Sequence, residues 1–155
     1  MNALRAVTLH PGDVVLGLRG DRLETLLGSC VAIVLTDPRR TVGAMCHFVY
    51  TRPCAQAPAI LPTAQADHAL QSMAQLLQVR GILVPLCEAY VIGGGNMFPE
   101  MVSGVRVGDD NAQWALRALA AQGVRVLSTD VGGPVYRRLR WTVGPQAPQI
   151  EAVPL

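Results

Sequence analysis

The sequence predicts an α+β fold: a layered β-sheet sandwich core with two or three helices packed outside. Short runs rich in β-branched residues outnumber helical stretches, and turn residues join many of them as hairpins. Strands and helices do not alternate regularly, as they would in a doubly wound parallel sheet. With 155 residues, half of them hydrophobic and 15% charged, the chain can bury a real core. One domain over residues 1–155 is the expectation.

Ala6–Leu9 reads as a short strand stopped by His10-Pro11-Gly12-Asp13, and Val14–Leu18 as a second. Arg22–Leu27 leads into a central hairpin. Its arms are Val31–Thr36 and Thr41–Val49, and Asp37-Pro38 supplies the turn, because a residue before proline is pushed out of the helical region. Alternation along the second arm puts Val42, Ala44, Cys46 and Phe48 on one face, and Gly43, Met45, His47 and Val49 on the other. Thr51–Pro62, with three prolines, reads as a surface loop holding Cys54.

A helix follows over about 64–80, with an apolar stripe of Ala66, Ala69, Leu70, Met73, Leu76 and Leu77. Thr63 is its expected N-cap and Gly81 its terminator, while His68 falls on the polar flank. Glu88–Ile92 reads as a buried strand closed by Gly93-Gly94-Gly95-Asn96. That glycine run lacks the Lys-Ser/Thr of a phosphate loop and the wider spacing of a dinucleotide site. It fits a tight turn that lets backbone approach a neighbouring element or a substrate, which makes Asn96 a candidate substrate contact.

The second helix is expected over about 111–122, capped by Asp109 or Asp110, with Ala115, Leu116, Leu119 and Ala120 buried. Val124–Thr129 returns as a strand. Val135–Val143 alternates as a half-buried strand with a basic outer face, and residues 150–155 add an edge strand blunted by Pro154.

Net charge is +2 with both signs dispersed, which gives no electrostatic case for nucleic acid. The one basic cluster, Arg137-Arg138-Leu139-Arg140, reads as a solvated face. Met1–Arg5 lacks the apolar segment of a secretory signal, and no run has the length to insert in a membrane, so a cytoplasmic protein is expected. Cys30, Cys46, Cys54 and Cys87 form no C-x-x-C pair and have no histidine at zinc spacing. Free thiols, no metal and no cofactor are the expectation.

The hairpin carries the chemistry. It can bring Cys30, before its first arm, close to His47 near the end of its second, and a thiol beside an imidazole is a nucleophile with its own base. Cysteine is also among the most often buried residues, and a strand histidine is often only structural. Gly28-Ser29 strengthens the catalytic reading, because a small, flexible lead-in lets a substrate carbonyl approach the backbone. The Cys30 amide is then placed to hold an oxyanion. Cys46, on the opposite face from His47, reads as core filler.

Thr25-Leu26-Leu27-Gly28-Ser29-Cys30-Val31-Ala32, the Asp-Pro turn and Gly43-Ala44-Met45-Cys46-His47-Phe48 together resemble the CheD family, the chemoreceptor glutamine deamidases of bacterial chemotaxis. The resemblance spans about residues 7–142 and includes Gly93–Met97, Val107–Asn111 and Asp130–Gly133. It implies a sandwich similar to other cysteine-dependent deamidases, with Cys30 as nucleophile, His47 as acid and base, and Thr25 orienting the imidazole. A strand hydroxyl without that role is the other reading of Thr25. Gly28 and Ser29 would meet substrate. The implied substrate is a glutamine on the cytoplasmic helices of methyl-accepting chemoreceptors, converted to glutamate through a Cys thioester with loss of ammonia. A CheC-type phosphatase is the implied further partner. The chain departs from the family's pattern at Phe48–Pro53 and at Gln65, positions that bear on substrate choice. Two alternatives stand beside the deamidase: a non-catalytic or weakly catalytic binding module that docks to receptor or phosphatase, and another thiol acyl-transfer enzyme.

Overall fold

The computed structural model describes residues 4–52, 61–100 and 106–155. Among the described residues, nine strands form two sheets: β1 (Ala6–Leu9), β2 (Val14–Leu18), β3 (Arg22–Leu27), β4 (Val31–Thr36), β5 (Val42–Phe48), β6 (Glu88–Gly93), β7 (Arg125–Val131), β8 (Val135–Thr142) and β9 (Gln149–Pro154). The helices are α1 (Ala66–Gln78) and α2 (Val107–Ala121). Short 3-10 turns at Pro62–Ala64 and Val84–Leu86 add to them. The smaller sheet runs β1-β3-β8-β9 and the larger β2-β5-β4-β6-β7. The expected α+β sandwich is therefore what forms, as three layers: small sheet, large sheet, helices.

The large sheet is buried on both faces, so β4 and β5 are inaccessible along their whole length. Its helix-facing side carries Ile33, Val42, Ala44, Cys46 and Phe48 against Leu70, Met73, Leu77, Ala115 and Leu119. Its other side carries Ala32, Val34, Met45 and Ile92 against Leu23, Leu27, Leu139 and Trp141 of the small sheet. The Trp141 ring lies over Gly43, where any β-carbon would collide with it. Cys46 lies fully buried on the helix side, as alternation predicts.

The β4–β5 hairpin closes through Asp37. Its carboxylate accepts from the Thr41 amide (2.8 Å), the Thr41 hydroxyl (2.8 Å) and the Val42 amide (3.0 Å). Burial alone would raise the Asp37 pKa, but those donors outweigh it and hold the carboxyl below its ordinary value.

Residues 28–30 carry the chain from the small sheet, which holds β3, to the large one, which holds β4. Several expectations are corrected. Thr63 does not cap α1: Gln65 is the N-cap, without a side-chain cap bond, and the Thr63 hydroxyl donates to the Gly12 carbonyl instead. α2 begins at Val107, so Asp109 and Asp110 lie inside its first turn rather than capping it. Its buried stripe is Gly108, Asn111, Ala112, Ala115 and Leu119, whereas Ala120 is exposed. β6-α2-β7 forms one parallel crossover. Arg137 is not on a solvated face but 4% exposed between the sheets. It donates to Asp130 (3.0 Å), the Gly93 carbonyl (3.2 Å) and the Gly132 carbonyl (2.6 Å). Only Arg138 and Arg140 of that cluster point out. Cys54 lies outside the described residues.

Candidate active site

The register Ala32↔His47 fixes the geometry of the hairpin ends. Cys30 lies two residues before Ala32 and, like it, packs toward the small sheet. Cys30 and His47 are thus diagonal neighbours on one face, a placement with Cα atoms about 7–8 Å apart that two side chains can bridge. Cys30 is half-buried and His47 is 2% exposed; no hydrogen bond joins the two side chains, since His47 Nε2 has no partner among the described residues.

Thr25 reaches this pair from the other sheet. Its Oγ1 lies 2.7 Å from His47 Nδ1 and donates to the Leu9 carbonyl at 2.8 Å. A hydroxyl has one proton, and a carbonyl can only accept. The Thr25 proton therefore goes to Leu9, and Nδ1 must be the protonated nitrogen that donates to Thr25. That fixes the tautomer: Nε2 carries a bare lone pair. It is buried and has no hydrogen-bond partner among the described residues, which leaves the proton acceptor of the site unused at rest.

Burial dominates the electrostatics. It lowers the His47 imidazole to about 4; the Asp13 carboxylate pulls upward and His10 pushes further down. Burial likewise raises the Cys30 thiol to about 11, against a smaller opposing bond from its own amide. With the thiol raised and the imidazole lowered, the pair rests as thiol and neutral imidazole. For such a pair to act as nucleophile and base, the thiol proton would have to leave as sulfur attacks.

The lead-in to Cys30 is held through its carbonyls. Gly95 N–H donates to the Gly28 carbonyl (2.9 Å) and Gly94 N–H to the Cys30 carbonyl (2.8 Å). The Asn111 side chain donates to the Ser29 carbonyl at 3.0 Å. Gly93 has φ +118° and lies so close that a β-carbon would strike the Cys30 carbonyl, so the glycine turn serves close backbone approach. Gly28 and Ser29 are half-buried beside the thiol, and Gly28 meets Met97 and Tyr136. Asn96 turns inward on its own loop, its Oδ1 accepting from the Phe98 amide at 3.2 Å. Sequence reasoning passed over His10, Asp13, Arg137 and Asn111. The first two lie in an ordinary turn signal, nothing local marks Asn111 as buried, and Arg137 alternates with Leu139 and Trp141 but sits in a basic cluster.

A family model described as "CheD chemotactic sensory transduction" matches residues 53–147. The probable chemoreceptor glutamine deamidase CheD 2 of Albidiferax ferrireducens is 36% identical over 88% of this chain and 81% of its own length. The chain belongs to the CheD family. Probable chemoreceptor glutamine deamidases CheD of Maridesulfovibrio salexigens and Pseudomonas fluorescens are also 36% identical. They cover 88% and 86% of this chain, and 85% and 76% of theirs. The CheD family model begins downstream of Cys30 and His47, but an alignment over 88% of 155 residues necessarily includes both. Among solved structures, the hypothetical protein YfiH of Bacillus licheniformis overlaps with a TM-score of 0.48 and 12% identity, over 76% of this chain and 50% of that one.

Proposed function

We propose that this CheD protein is a protein-glutamine deamidase that converts chemoreceptor glutamines to glutamate. The observation that carries the reading is the Thr25–His47 contact, because it leaves Nε2 as a bare base on the face that holds Cys30. Membership of a family whose relatives bear the deamidase name supports the substrate.

In the reaction, Cys30 Sγ attacks the side-chain amide carbon of glutamine as His47 Nε2 takes the thiol proton. The amide oxygen becomes an oxyanion, for which the Cys30 N–H is the proposed donor. The imidazolium, its Nδ1 proton held by Thr25, then protonates the departing nitrogen, and ammonia leaves a thioester. Water, deprotonated by His47, opens the thioester to glutamate and returns the proton to sulfur. No step calls for a cofactor. Gly28 and Ser29 are proposed to border the substrate amide, with Asn96 supporting the adjoining turn.

The chain is proposed to act as one domain in the cytoplasm, where receptor helices are reached. Among the described residues, no helix is long and apolar enough to cross a membrane. A CheC-type phosphatase is proposed as a further partner on family grounds. The test is mass spectrometry of a chemoreceptor cytoplasmic fragment incubated with wild type, Cys30→Ala and His47→Ala. Glutamine-to-glutamate conversion with ammonia release by wild type alone supports the reading; stable binding with no conversion sinks it for that substrate.

A further inference from the structure

We propose that Asn111 is a positioning residue, whose single side-chain amide fastens the Cys30 loop to the His47 strand and so sets the thiol against the imidazole. The inference rests on the deamidase reading for its catalytic meaning. Its geometry is independent of that reading. Asn111 Nδ2 donates to the Ser29 carbonyl (3.0 Å) and to the Val49 carbonyl (2.9 Å). Ser29 immediately precedes the nucleophile, and Val49 follows the base by two residues.

The β4–β5 ladder ends at Val31↔Phe48. Beyond it the two chains diverge, and the Asn111 amide spans the gap that the ladder leaves. The glycine turn holds the Gly28 and Cys30 carbonyls from one side. Asn111 ties the same loop to β5. Its own position is fixed one turn earlier, where Gly108 packs so tightly on the Gly94 and Gly95 carbonyls that a β-carbon would collide with them.

A core-filling role explains this residue poorly. Asn111 is 1% exposed, and its Oδ1 has no partner among the described residues. Such a group costs stability that an apolar side chain would not. What the carboxamide supplies is two N–H bonds on one atom, aimed at the two segments that carry the reacting groups.

The test sets Asn111→Ala beside Leu119→Ala, which opens a cavity in the same helix without touching either segment. Wild type, both variants and His47→Ala are assayed for kcat and KM on a receptor cytoplasmic fragment. Without substrate, alkylation of Cys30 by iodoacetamide is followed site by site in mass spectra, with thermal melts in parallel. Asn111→Ala is expected to lose about 10- to 100-fold in kcat, the scale of a misplaced reacting group, with KM nearly unchanged. Its Cys30 alkylation falls toward that of His47→Ala. Leu119→Ala melts lower yet keeps its kcat and alkylation rate.

Wild-type kcat in Asn111→Ala, or losses in both variants that track the folded fraction alone, would overturn the proposal. If wild type does not deamidate the fragment, alkylation decides. A rate that still depends on Asn111 and His47 supports positioning while the substrate reading fails, and a rate indifferent to Asn111 overturns it. Should Asn111→Ala not fold, Asn111→Ser is judged by the same readouts.

Discussion

Cys46 and His47 are neighbours in sequence and belong to different worlds. Cys46 faces the helices, fully buried in a hydrophobic cluster. His47 faces the small sheet, where Thr25 and Arg137 are also buried and where Cys30 opens toward the surface. The same strand therefore carries a structural face and a chemical face. A sheet covered on both sides can assign stability to one and reactivity to the other by parity alone.

The sharpest way to break that comparison is to remove the reacting groups on each side. Cys30→Ala or His47→Ala is expected to lower deamidation by at least about 10³-fold, whereas Cys46→Ala keeps kcat within a few-fold. An equal loss in Cys46→Ala, measured on protein shown to be folded, would end the division into faces. Thr25→Val is next. It removes the acceptor for Nδ1–H, so kcat should fall roughly 10- to 100-fold while the two-sheet fold persists in circular dichroism. Unchanged turnover would reduce Thr25 to a strand hydroxyl.

A pH profile sharpens the electrostatic half. His47 titrates at about 4, so the acid limb of kcat/KM should lie near that value rather than near 6.5. The same shift bears on stability. The unfolded chain binds the imidazole proton between pH 6.5 and 4 and the folded chain does not. The contribution is complete above 6.5 and is lost as pH falls toward 4, by up to roughly 3 kcal/mol. Urea unfolding of wild type and His47→Gln across that window measures it. The smallest chemical effect belongs to Met73→Ala on the helix side. It should cost about 2–5 kcal/mol of stability and leave kcat of the folded enzyme intact.

Much of this was legible before any coordinates. The hairpin arms, the parity that separates Cys46 from His47, and the Gly-Ser-Cys lead-in are local signals: period-2 alternation, Asp-Pro turn chemistry and small residues. What escaped is tertiary. β3 and β4 look like one continuous approach in sequence, yet they lie in different sheets, because the partner of Thr25 is Leu139 and that of Ala32 is His47. Arg137 reads as surface because arginine usually is; three acceptors on the opposing turns make it internal. Asn111 follows two aspartates and looks like the start of a helix. It is instead on the buried stripe, one turn after a glycine whose role only backbone contact reveals.

The crossing of the chain between sheets at residues 28–30 has a consequence for assembly. A folding intermediate that has closed the β4–β5 hairpin already holds thiol and imidazole near one another. It lacks the hydroxyl of Thr25, which arrives only when the small sheet docks. Without that contact, nothing else among the described residues hydrogen-bonds the imidazole to fix its tautomer. Recovery of turnover during refolding should therefore lag the appearance of hairpin structure and coincide with burial of Trp141, whose ring closes the seam between the sheets. The Thr25–His47 contact thus forms only where both layers have met.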